Sequence, residues 1–414
     1  MMRKLLWIGS LSYLATGFSH VLIGAILTSL LDHYGGAYSE GGRLVFAQFS
    51  GFLIGVSAVG FIVQRLGRRT VLVAAMAIMA AAQFYAMTLP GWEILTGVLF
   101  IMGIAFGSIE SSIGALILLA FKEKQAGAMG KLELYFGLGA LLMPFFAGVF
   151  LYFDAWPMAF LPLGLLALAL ALAWRLLDFG TEAEAYMRRA ESSPARGQAR
   201  RKARSAGEGR GAAAGSAAAP PLPRSGYGML GGFALFFFLY VGMEVCIVEF
   251  APSWMKDGYA LSTSASAWSV TAFWFTMSVG RALIGVLAER FSYAAYLTAS
   301  IVLSLAAATG LALSSTAWVA YMCMAVLGFA MAGIFAVALI YANSMITGRE
   351  QFTTSFLIAA GGVGGSLLPL LLGGWMDRFG ALSSIWLLTA AIGLMLLIVI
   401  SMPLFKRQGR QAVL

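Results

Sequence analysis

Charged residues are scarce in this chain: Asp, Glu, Lys and Arg together make up 11% of its 414 residues. Hydrophobic residues make up 60%, and the mean hydropathy is +0.86. This composition excludes an ordinary water-soluble domain, in which about a quarter of the residues are charged. It is typical of a polytopic helical membrane protein, whose solvent is the bilayer.

Cysteine is nearly absent as well. The two cysteines, Cys246 and Cys323, each lie within an apolar run and show no CxxC or other metal-ligand spacing. We therefore predict small buried residues rather than a disulfide or a metal site. The sequence also lacks a phosphate-binding loop, an ATP-binding domain and a nucleophile elbow, so we expect neither an enzyme nor a bound cofactor.

Positive charge is in excess, with a formal net charge of +9. The basic residues lie between apolar runs and are not interleaved with aromatic residues, which argues against nucleic-acid binding. Membrane topology explains them better, because loops on the cytoplasmic side of a membrane protein are enriched in Lys and Arg.

Twelve apolar runs are each long enough to cross a bilayer as a helix. They lie near residues 5–30, 44–64, 70–89, 94–121, 132–153, 158–176, 227–252, 265–287, 294–313, 317–341, 352–375 and 384–404. Of the 27 Lys and Arg residues, 23 fall on the side of the N-terminus, three on the other side, and Arg281 lies inside a run. The positive-inside rule therefore predicts that both termini are cytoplasmic.

One long polar segment, residues 179–226, separates the sixth run from the seventh. It is rich in Arg, Ala, Gly and Ser and lacks apolar periodicity, so we predict a basic cytoplasmic linker that is disordered or partly helical. The sequences on either side match at a fixed spacing of 225 residues, which pairs Gly17 with Gly242, Gly60 with Gly285, Gly103 with Gly328 and Pro144 with Pro369. We predict an all-α membrane protein with twelve transmembrane helices in two pseudo-symmetric six-helix bundles, residues 1–178 and 227–414. Parallel repeats of this kind enclose a solute site at the midplane and rock about it.

Apart from Glu133 and Arg175 at the ends of their runs, the charged residues within the predicted spans are Glu110, Glu244, Glu249 and Arg281. An ionisable group at bilayer depth costs several kcal/mol unless it is paired or hydrated, so each is a functional candidate. Glu110 lies about midway along the fourth run among glycines and serines, and we predict that it carries the coupled proton. The alternative is an uncharged acid that is hydrogen-bonded to a neighbouring helix.

The first and seventh runs are expected to face the central cavity from opposite sides. Glu244 matches Ser19 in the repeat, next to His20, so Glu244 and His20 are candidates both for proton coupling and for solute binding. His20 alternatively serves as a hydrogen-bond donor between helices. Glu249 lies nearer the outer end and is predicted to be interfacial. For Arg281 we favour an ionic contact over snorkelling to the interface.

Gln48 in the second run and the pair Phe273 and Trp274 in the eighth run occupy corresponding positions. An aromatic face beside an amide suits a sugar, which offers apolar C–H faces and polar hydroxyls. The alternative is that these side chains pack against other helices or lipid.

The loop after the second run reads GFIVQRLGRRT, from Gly60 to Thr70, and GVLAERF repeats it from Gly285. It resembles the cytoplasmic signature of the major facilitator superfamily, in which this loop forms part of an inner latch. The resemblance implies gating roles for Gly60, Gln64, Arg65, Gly67, Arg68, Arg69, Arg281, Glu289 and Arg290. The family usually has Asp where this chain has Gln64, so the ionic part of the first latch departs from the pattern.

Within that superfamily the chain resembles the fucose–galactose–glucose:proton symporter family, and most closely its bacterial glucose/mannose:proton symporters. The segments that carry the resemblance are FAQFSGFLIG, GSIESSIG, KLELYFGLGAL, LYVGMEV and FWFTMSVGRALIG. The resemblance implies uptake of a hexose with protons across a bacterial cytoplasmic membrane, with Glu110 at the coupling site. It covers nearly all the spans and leaves the linker unmatched.

Three functions stay open from the sequence. The first is a hexose:proton symporter whose partners are the solute, protons and lipid, and which works as a monomer. The second is a proton-coupled exporter of a drug or polar metabolite, although neither Pro144 nor Pro369 follows the glycine usual in drug antiporters. The third is a membrane sensor that binds its ligand without moving it.

Overall fold

Almost all of the described chain is helical. The computed structural model describes residues 2–121, 125–187, 224–290, 292–346 and 349–411. Its helices are α1 (Met2–Tyr34), α2 (Tyr38–Leu66), α3 (Arg68–Ala86), α4 (Trp92–Ala120), α5 (Gln125–Tyr152), α6 (Phe160–Leu176), α7 (Thr181–Met187), α8 (Arg224–Tyr259), α9 (Thr263–Arg290), α10 (Tyr293–Leu313), α11 (Ala317–Met331), α12 (Ile334–Met345), α13 (Glu350–Phe379) and α14 (Ser383–Gln411). A 3₁₀ turn, Trp156–Ala159, leads into α6.

Eleven stretches within the described ranges are long and apolar enough to cross a membrane, when α11 and α12 are taken as one crossing. The remaining long helix is α9, whose 28 residues pack against α5 and α11. It is the twelfth crossing, and the predicted all-α fold with twelve membrane helices is confirmed.

The crossings form two bundles with the same internal packing. In the first bundle α2 packs against α4, α1 against α5, and α3 against α6. The equivalent pairs in the second bundle are α9 with α11, α8 with α13, and α10 with α14. Contacts of α2 with α13 and of α5 with α9 join the two bundles. The two halves that repeat in the sequence therefore pack their helices in the same way.

The tenth predicted span, residues 317–341, contains a break that the sequence analysis did not predict. The helix is interrupted at Ala332 and Gly333, between α11 and α12. A break frees backbone carbonyls, which need other partners within a membrane. The hydroxyl of Tyr240 donates to the carbonyl oxygen of Met331 at 2.9 Å and so supplies one.

The repeated glycines allow helices to touch backbone to backbone. A Cβ atom placed on Gly103 of α4 would lie 2.0 Å from the carbonyl oxygen of Gln48 in α2. A Cβ on Gly328 of α11 would lie 2.1 Å from the carbonyl oxygen of Phe273 in α9. Both the glycines and the residues they touch are related by the 225-residue repeat. Small residues at helix interfaces allow such close approach in membranes.

We expect Gly103→Ala to destabilise the protein, because the added methyl group meets a backbone oxygen that cannot move aside. Overpacking of this kind typically costs about 1–3 kcal/mol. Gly97→Ala on the same helix is the matched control, since a Cβ there meets nothing within 4 Å. Replacing a helical glycine with alanine in open space instead stabilises by up to roughly 1 kcal/mol. Thermal unfolding in detergent measures the stability of both variants. Equal melting temperatures would show that the close contact at Gly103 does not require glycine.

The basic loop after α2 ties together parts of the first bundle. Gly67 ends α2 and begins α3 with a φ of +81°, a conformation that favours glycine. Arg69 donates to the carbonyl oxygens of Trp174, Arg175 and Leu177 at the end of α6, and it pairs with Glu184 of α7 at 2.6 Å.

The domain boundaries proposed from the sequence stay a prediction. Phe179, the first residue of the predicted linker, is buried and its ring lies 5.2 Å from that of Trp174. The short helix α7 follows directly, and α8 begins at Arg224, two residues before the predicted end of the linker. The intervening residues 188–223 lie outside the described part of the chain.

Candidate functional site

An aromatic box in the middle of the molecule surrounds His20 of α1. The imidazole ring has contacts of 5.4–6.4 Å, centroid to centroid, with the rings of Phe49 of α2, Phe106 of α4, Phe136 of α5 and Trp274 of α9. Five helices from both bundles therefore meet at this residue. Edge-to-face contacts such as those with Phe49 and Trp274 fix the orientation of a ring.

Polar atoms without partners cluster beside this box. Gln48 donates from Nε2 to the carbonyl oxygen of Ser19 at 2.9 Å, which leaves its Oε1 without a partner. The Nε2 of His20, the indole nitrogen of Trp274 and the Oγ of Ser278 are also buried and lack a hydrogen-bond partner among the described residues. A buried donor or acceptor left unpaired costs about 1–3 kcal/mol. The cluster is therefore well suited to binding a polar molecule.

Phe273 occupies a different environment from its neighbour Trp274. Its side chain is fully buried, and its backbone oxygen receives the close approach of Gly328 from α11. The two rings meet edge to face at 6.1 Å. Phe273 therefore packs behind Trp274, and its direct contact with a solute stays a prediction.

Arg281 joins the two bundles below the aromatic box. Its guanidinium lies 3.7 Å from a carboxylate oxygen of Glu133 in α5 and 3.7 Å from one of Glu244 in α8. It also lies 5.4 Å from the centre of the Trp274 ring, a cation–π arrangement. Arg281 is about a third exposed and Glu133 about half exposed, so the charged cluster is open to water on one side.

Glu110 stands next to this cluster. The hydroxyl of Tyr13 in α1 donates to the backbone oxygen of Glu110 at 3.1 Å. The carboxylates of Glu110 and Glu133 are close enough for their charges to interact. Glu133 and Glu244 thus share the guanidinium of Arg281, and Glu110 lies beside Glu133 without an ion pair among the described residues.

His20 and Glu244 have no direct contact among the described interactions. They are linked instead through Trp274, which touches the imidazole, and Arg281, which lies over the indole and pairs with Glu244. The expected approach of these two residues to one solute stays a prediction.

Glu133 was not predicted to be a site residue. The apolar run of the fifth crossing starts at Leu132, which places Glu133 at the membrane edge, but the helix begins at Gln125. Two extra turns put Glu133 well inside the helix and beside Arg281. Lys131 and Glu133 in KLELYF form a polar face near the start of a long helix. The length of the apolar run does not indicate this face.

Among the described residues, hydrogen bonds and an ion pair join the ends of the two bundles at one face. We call the side on which α1 and α8 begin the terminal face, and the side on which they end the far face. At the far face Asp377 of α13 accepts the backbone N–H groups of Tyr38 and Ser39 at 2.7 and 2.9 Å. These groups open α2, where a helix favours a negative charge.

Two further bonds cross the far face. Lys256 of α8 pairs with Asp32 of α1 at 2.6 Å, and the hydroxyl of Tyr38 donates to Asp257 at 2.5 Å. We refer to these contacts, together with those of Asp377, as the far-face latch. Because the latch is closed while Arg281 and Glu133 are partly exposed, the charged cluster opens toward the terminal face.

The prediction that Glu249 is interfacial is wrong. Its side chain is 1% exposed and lies between α8 and α1, against Gly24. Glu249 lies in the half of α8 nearer the far face, but the sequence did not reveal that this side of α8 turns toward α1.

The residues predicted to form the cytoplasmic latch lie in different environments. Gly60, Gln64 and Arg65 lie on the exposed end of α2, and Arg68 donates to the backbone oxygen of Tyr186 in α7 at 2.8 Å. The side chains of Glu289 and Arg290 lie outside the described residues. A gating role for this set stays a prediction.

Within the described ranges no group of three or more His, Cys, Asp or Glu residues is arranged to hold a metal ion. Cys246 is buried, Cys323 is half-buried, and both are free thiols.

A family model described as the Major Facilitator Superfamily matches residues 9–247 and 232–413. A curated relative, the glucose/mannose transporter GlcP of Bacillus subtilis, is 26% identical over 375 residues, which span 90% of this chain and 88% of the relative.

Solved structures share the fold. A D-xylose–proton symporter superimposes with a TM-score of 0.73 at 15% identity and covers 97% of both chains. The nucleoside transporter NupG gives a TM-score of 0.73 at 13% identity, over 96% of this chain and 98% of that one. A bacterial homologue of the human lysosomal transporter Spinster gives 0.71 at 15% identity, over 98% and 97%.

Proposed function

The chain belongs to the Major Facilitator Superfamily of membrane transporters, and from this we propose that it is a hexose:proton symporter that works by alternating access. The observation that carries the proposal is the aromatic box at His20, where ring faces meet unpartnered polar atoms of Gln48 and Trp274 beside a shared charge cluster. A sugar ring matches this mixture, because it presents C–H faces to aromatic rings and hydroxyls to an amide. The name of the Bacillus subtilis relative, a glucose/mannose transporter, supports the same substrate class.

In the proposed orientation the terminal face is cytoplasmic. The support is the distribution of Lys and Arg, with 23 of 27 on that side. The structure then corresponds to an inward-facing conformation, in which the far-face latch excludes the outer medium and the charged cluster meets the cytoplasm.

Proton coupling is proposed to use the charge imbalance below the solute site. If Glu110, Glu133 and Glu244 were all ionised, one guanidinium would leave two negative charges uncompensated within the membrane. Repulsion between neighbouring carboxylates favours the uptake of a proton by one of them. Glu110 is the proposed proton carrier, because no described cation pairs with it, while Arg281 pairs with Glu133 and Glu244.

The proposed cycle links these parts. Solute and proton bind from outside, the bundles rock until the far-face latch closes, and both are released to the cytoplasm. Arg281 joins the two bundles through Glu133 of α5 near the site, so a change in the charge of the cluster alters a contact between bundles.

The substrate class is tested by counterflow in proteoliposomes with labelled hexoses, polyols and cationic drugs. We expect exchange of a hexose. Exchange of cationic drugs alone would favour the exporter, and binding without exchange would favour a sensor.

Gln48→Ala and Trp274→Phe are expected to raise the half-saturation constant of that hexose about tenfold each, which corresponds to about 1.4 kcal/mol. Each change removes one hydrogen-bonding group and leaves the box in place. Phe275→Ala is the matched control, since Phe275 neighbours Trp274 but is exposed on the outer surface of α9. Unchanged half-saturation constants in both variants would show that Gln48 and Trp274 pack within the protein and do not bind the solute.

A further inference from the structure

Glu249 is a buried acid that the proposed transport mechanism does not use. It lies in the outer half of α8, and a Cβ atom on Gly24 of α1 would sit 2.5 Å from its Cα and 2.8 Å from its Oε2. Only a glycine at position 24 therefore leaves room for this carboxyl group. The contact joins the first bundle to the second just inside the far-face latch.

The surroundings of Glu249 form a polar track that leads outward. Its Oε2 has no hydrogen-bond partner within the described part of the chain. One helical turn further out, Thr28 of α1 and Ser253 of α8 are buried hydroxyls that also lack partners. Thr28 lines a cavity of about 350 Å³ at the far face, together with Asp32, Tyr38, Lys256, Asp257 and Asp377. Thr28 therefore lies both at the wall of this cavity and one helical turn from Gly24, which contacts Glu249.

No cation pairs with Glu249 among the described residues. On the elements that pack against α8, the nearest titratable and charged groups are His20, one turn below Gly24 on α1, and Asp32 with Tyr38 and Asp377 in the latch. On α8 itself they are Glu244, Cys246, Lys256 and Asp257. Glu244 is paired with Arg281 of α9, toward the opposite face. Lys256 is already paired with Asp32. An ionised carboxylate without a partner at this depth costs several kcal/mol, so Glu249 is neutral when the far face is closed.

We propose that Glu249 is a proton-binding site of the outer gate, so that the far face closes only when its carboxyl group holds a proton taken from the outer medium. When the bundles separate at the far face, Gly24 moves away and the carboxyl group meets the water of the latch cavity, where it releases its proton to that water. Closure reverses the step: the carboxylate takes a proton from outer water and is then sealed between α1 and α8. The proton that Glu249 binds returns to the outer side, while Glu110 carries the transported one.

This inference rests on alternating access, but it depends neither on the sugar nor on Glu110. It predicts that raising the outer pH shifts the empty carrier toward the outward-open conformation, since the ionised form of Glu249 cannot be enclosed. Linkage of this kind follows whenever one conformation binds a proton and the other releases it.

The test follows the accessibility of Thr28, which is buried in the closed gate. A single cysteine replaces Thr28 after Cys246→Ala and Cys323→Ala, and a membrane-impermeant maleimide is added outside right-side-out vesicles without solute. The rate is divided by that of Thr88→Cys in the same background, because Thr88 is exposed at the same face and corrects for the reactivity of thiolate at each pH. We expect the normalised rate to rise at least about fivefold between about pH 5.5 and about pH 8.5.

Glu249→Gln removes the titration and keeps the shape of the side chain. In this variant we expect a low normalised rate that does not change with pH, and Glu249→Met gives a second neutral side chain if the first variant folds poorly. The proposal is overturned by a flat pH profile in the protein with Glu249 intact, or by the same rise in the neutral variants. Because no gradient or sugar is used, this result is independent of whether the chain is a hexose:proton symporter.

Discussion

Glu110→Gln is expected to abolish proton-driven accumulation of the solute and to preserve exchange of labelled for unlabelled solute. Glutamine keeps the size of the side chain and fixes it in a neutral form. Accumulation requires a group that binds a proton on one side and releases it on the other, whereas exchange requires only that the loaded carrier reorients. One substitution should therefore separate the two activities.

The structure gives physical reasons for choosing Glu110. It lies beside Glu133, but the described ion pairs of Arg281 are with Glu133 and Glu244. The backbone of Glu110 is held by Tyr13, so a change of side-chain charge leaves the helix in position. The carboxyl group that lacks an ion-pair partner is the one most free to gain and lose a proton.

Both activities are measured in the same proteoliposomes, with an imposed proton gradient for accumulation and with counterflow at equal pH for exchange. Glu93→Gln is the matched control, because Glu93 lies on the same helix, is exposed, and pairs with Arg43 at the far face. Accumulation by Glu110→Gln would place the coupled proton elsewhere, with Glu244, His20 and Glu133 as the next candidates to test.

The positions of the crossings were predictable because the bilayer penalises polar backbone and side chains along the whole helix. The repeat was predictable for a similar reason: Gly103 and Gly328 occur at one spacing because both lie where two helix backbones touch. Even α9, with its serines, was found from its length and its match to the second crossing.

Side-chain pairing was less predictable, since it depends on rotation of each helix about its axis. The ionic contact of Arg281 was expected, but its partners Glu133 and Glu244 come from two other helices, one of them in the other bundle. Glu249 was misjudged because distance along α8 says nothing about which face meets Gly24. The break after Met331 was also missed, since the apolar run continues through it.

Arg281→Gln is expected to reduce transport at least about 100-fold, a change of about 2.7 kcal/mol. The guanidinium compensates carboxylates from both bundles and lies over the ring of Trp274 in the aromatic box. Its removal leaves Glu133 and Glu244 facing each other without a cation. Removing one partner of a buried ion pair costs about 3–5 kcal/mol, and the partial exposure of Glu133 and Arg281 reduces this value.

Two variants separate charge from shape at Arg281. Arg281→Lys keeps the charge but loses the planar group that binds two carboxylates and stacks on an indole, so we expect an intermediate rate of counterflow. Adding Glu244→Gln to Arg281→Gln removes one uncompensated charge, so the double variant should recover folded protein in detergent relative to Arg281→Gln alone. Lys131→Gln is the control, because Lys131 also lies over a tryptophan, Trp7, but outside the site. If Arg281→Gln transports like Lys131→Gln, the contacts of Arg281 with Glu133 and Glu244 do not couple the two bundles.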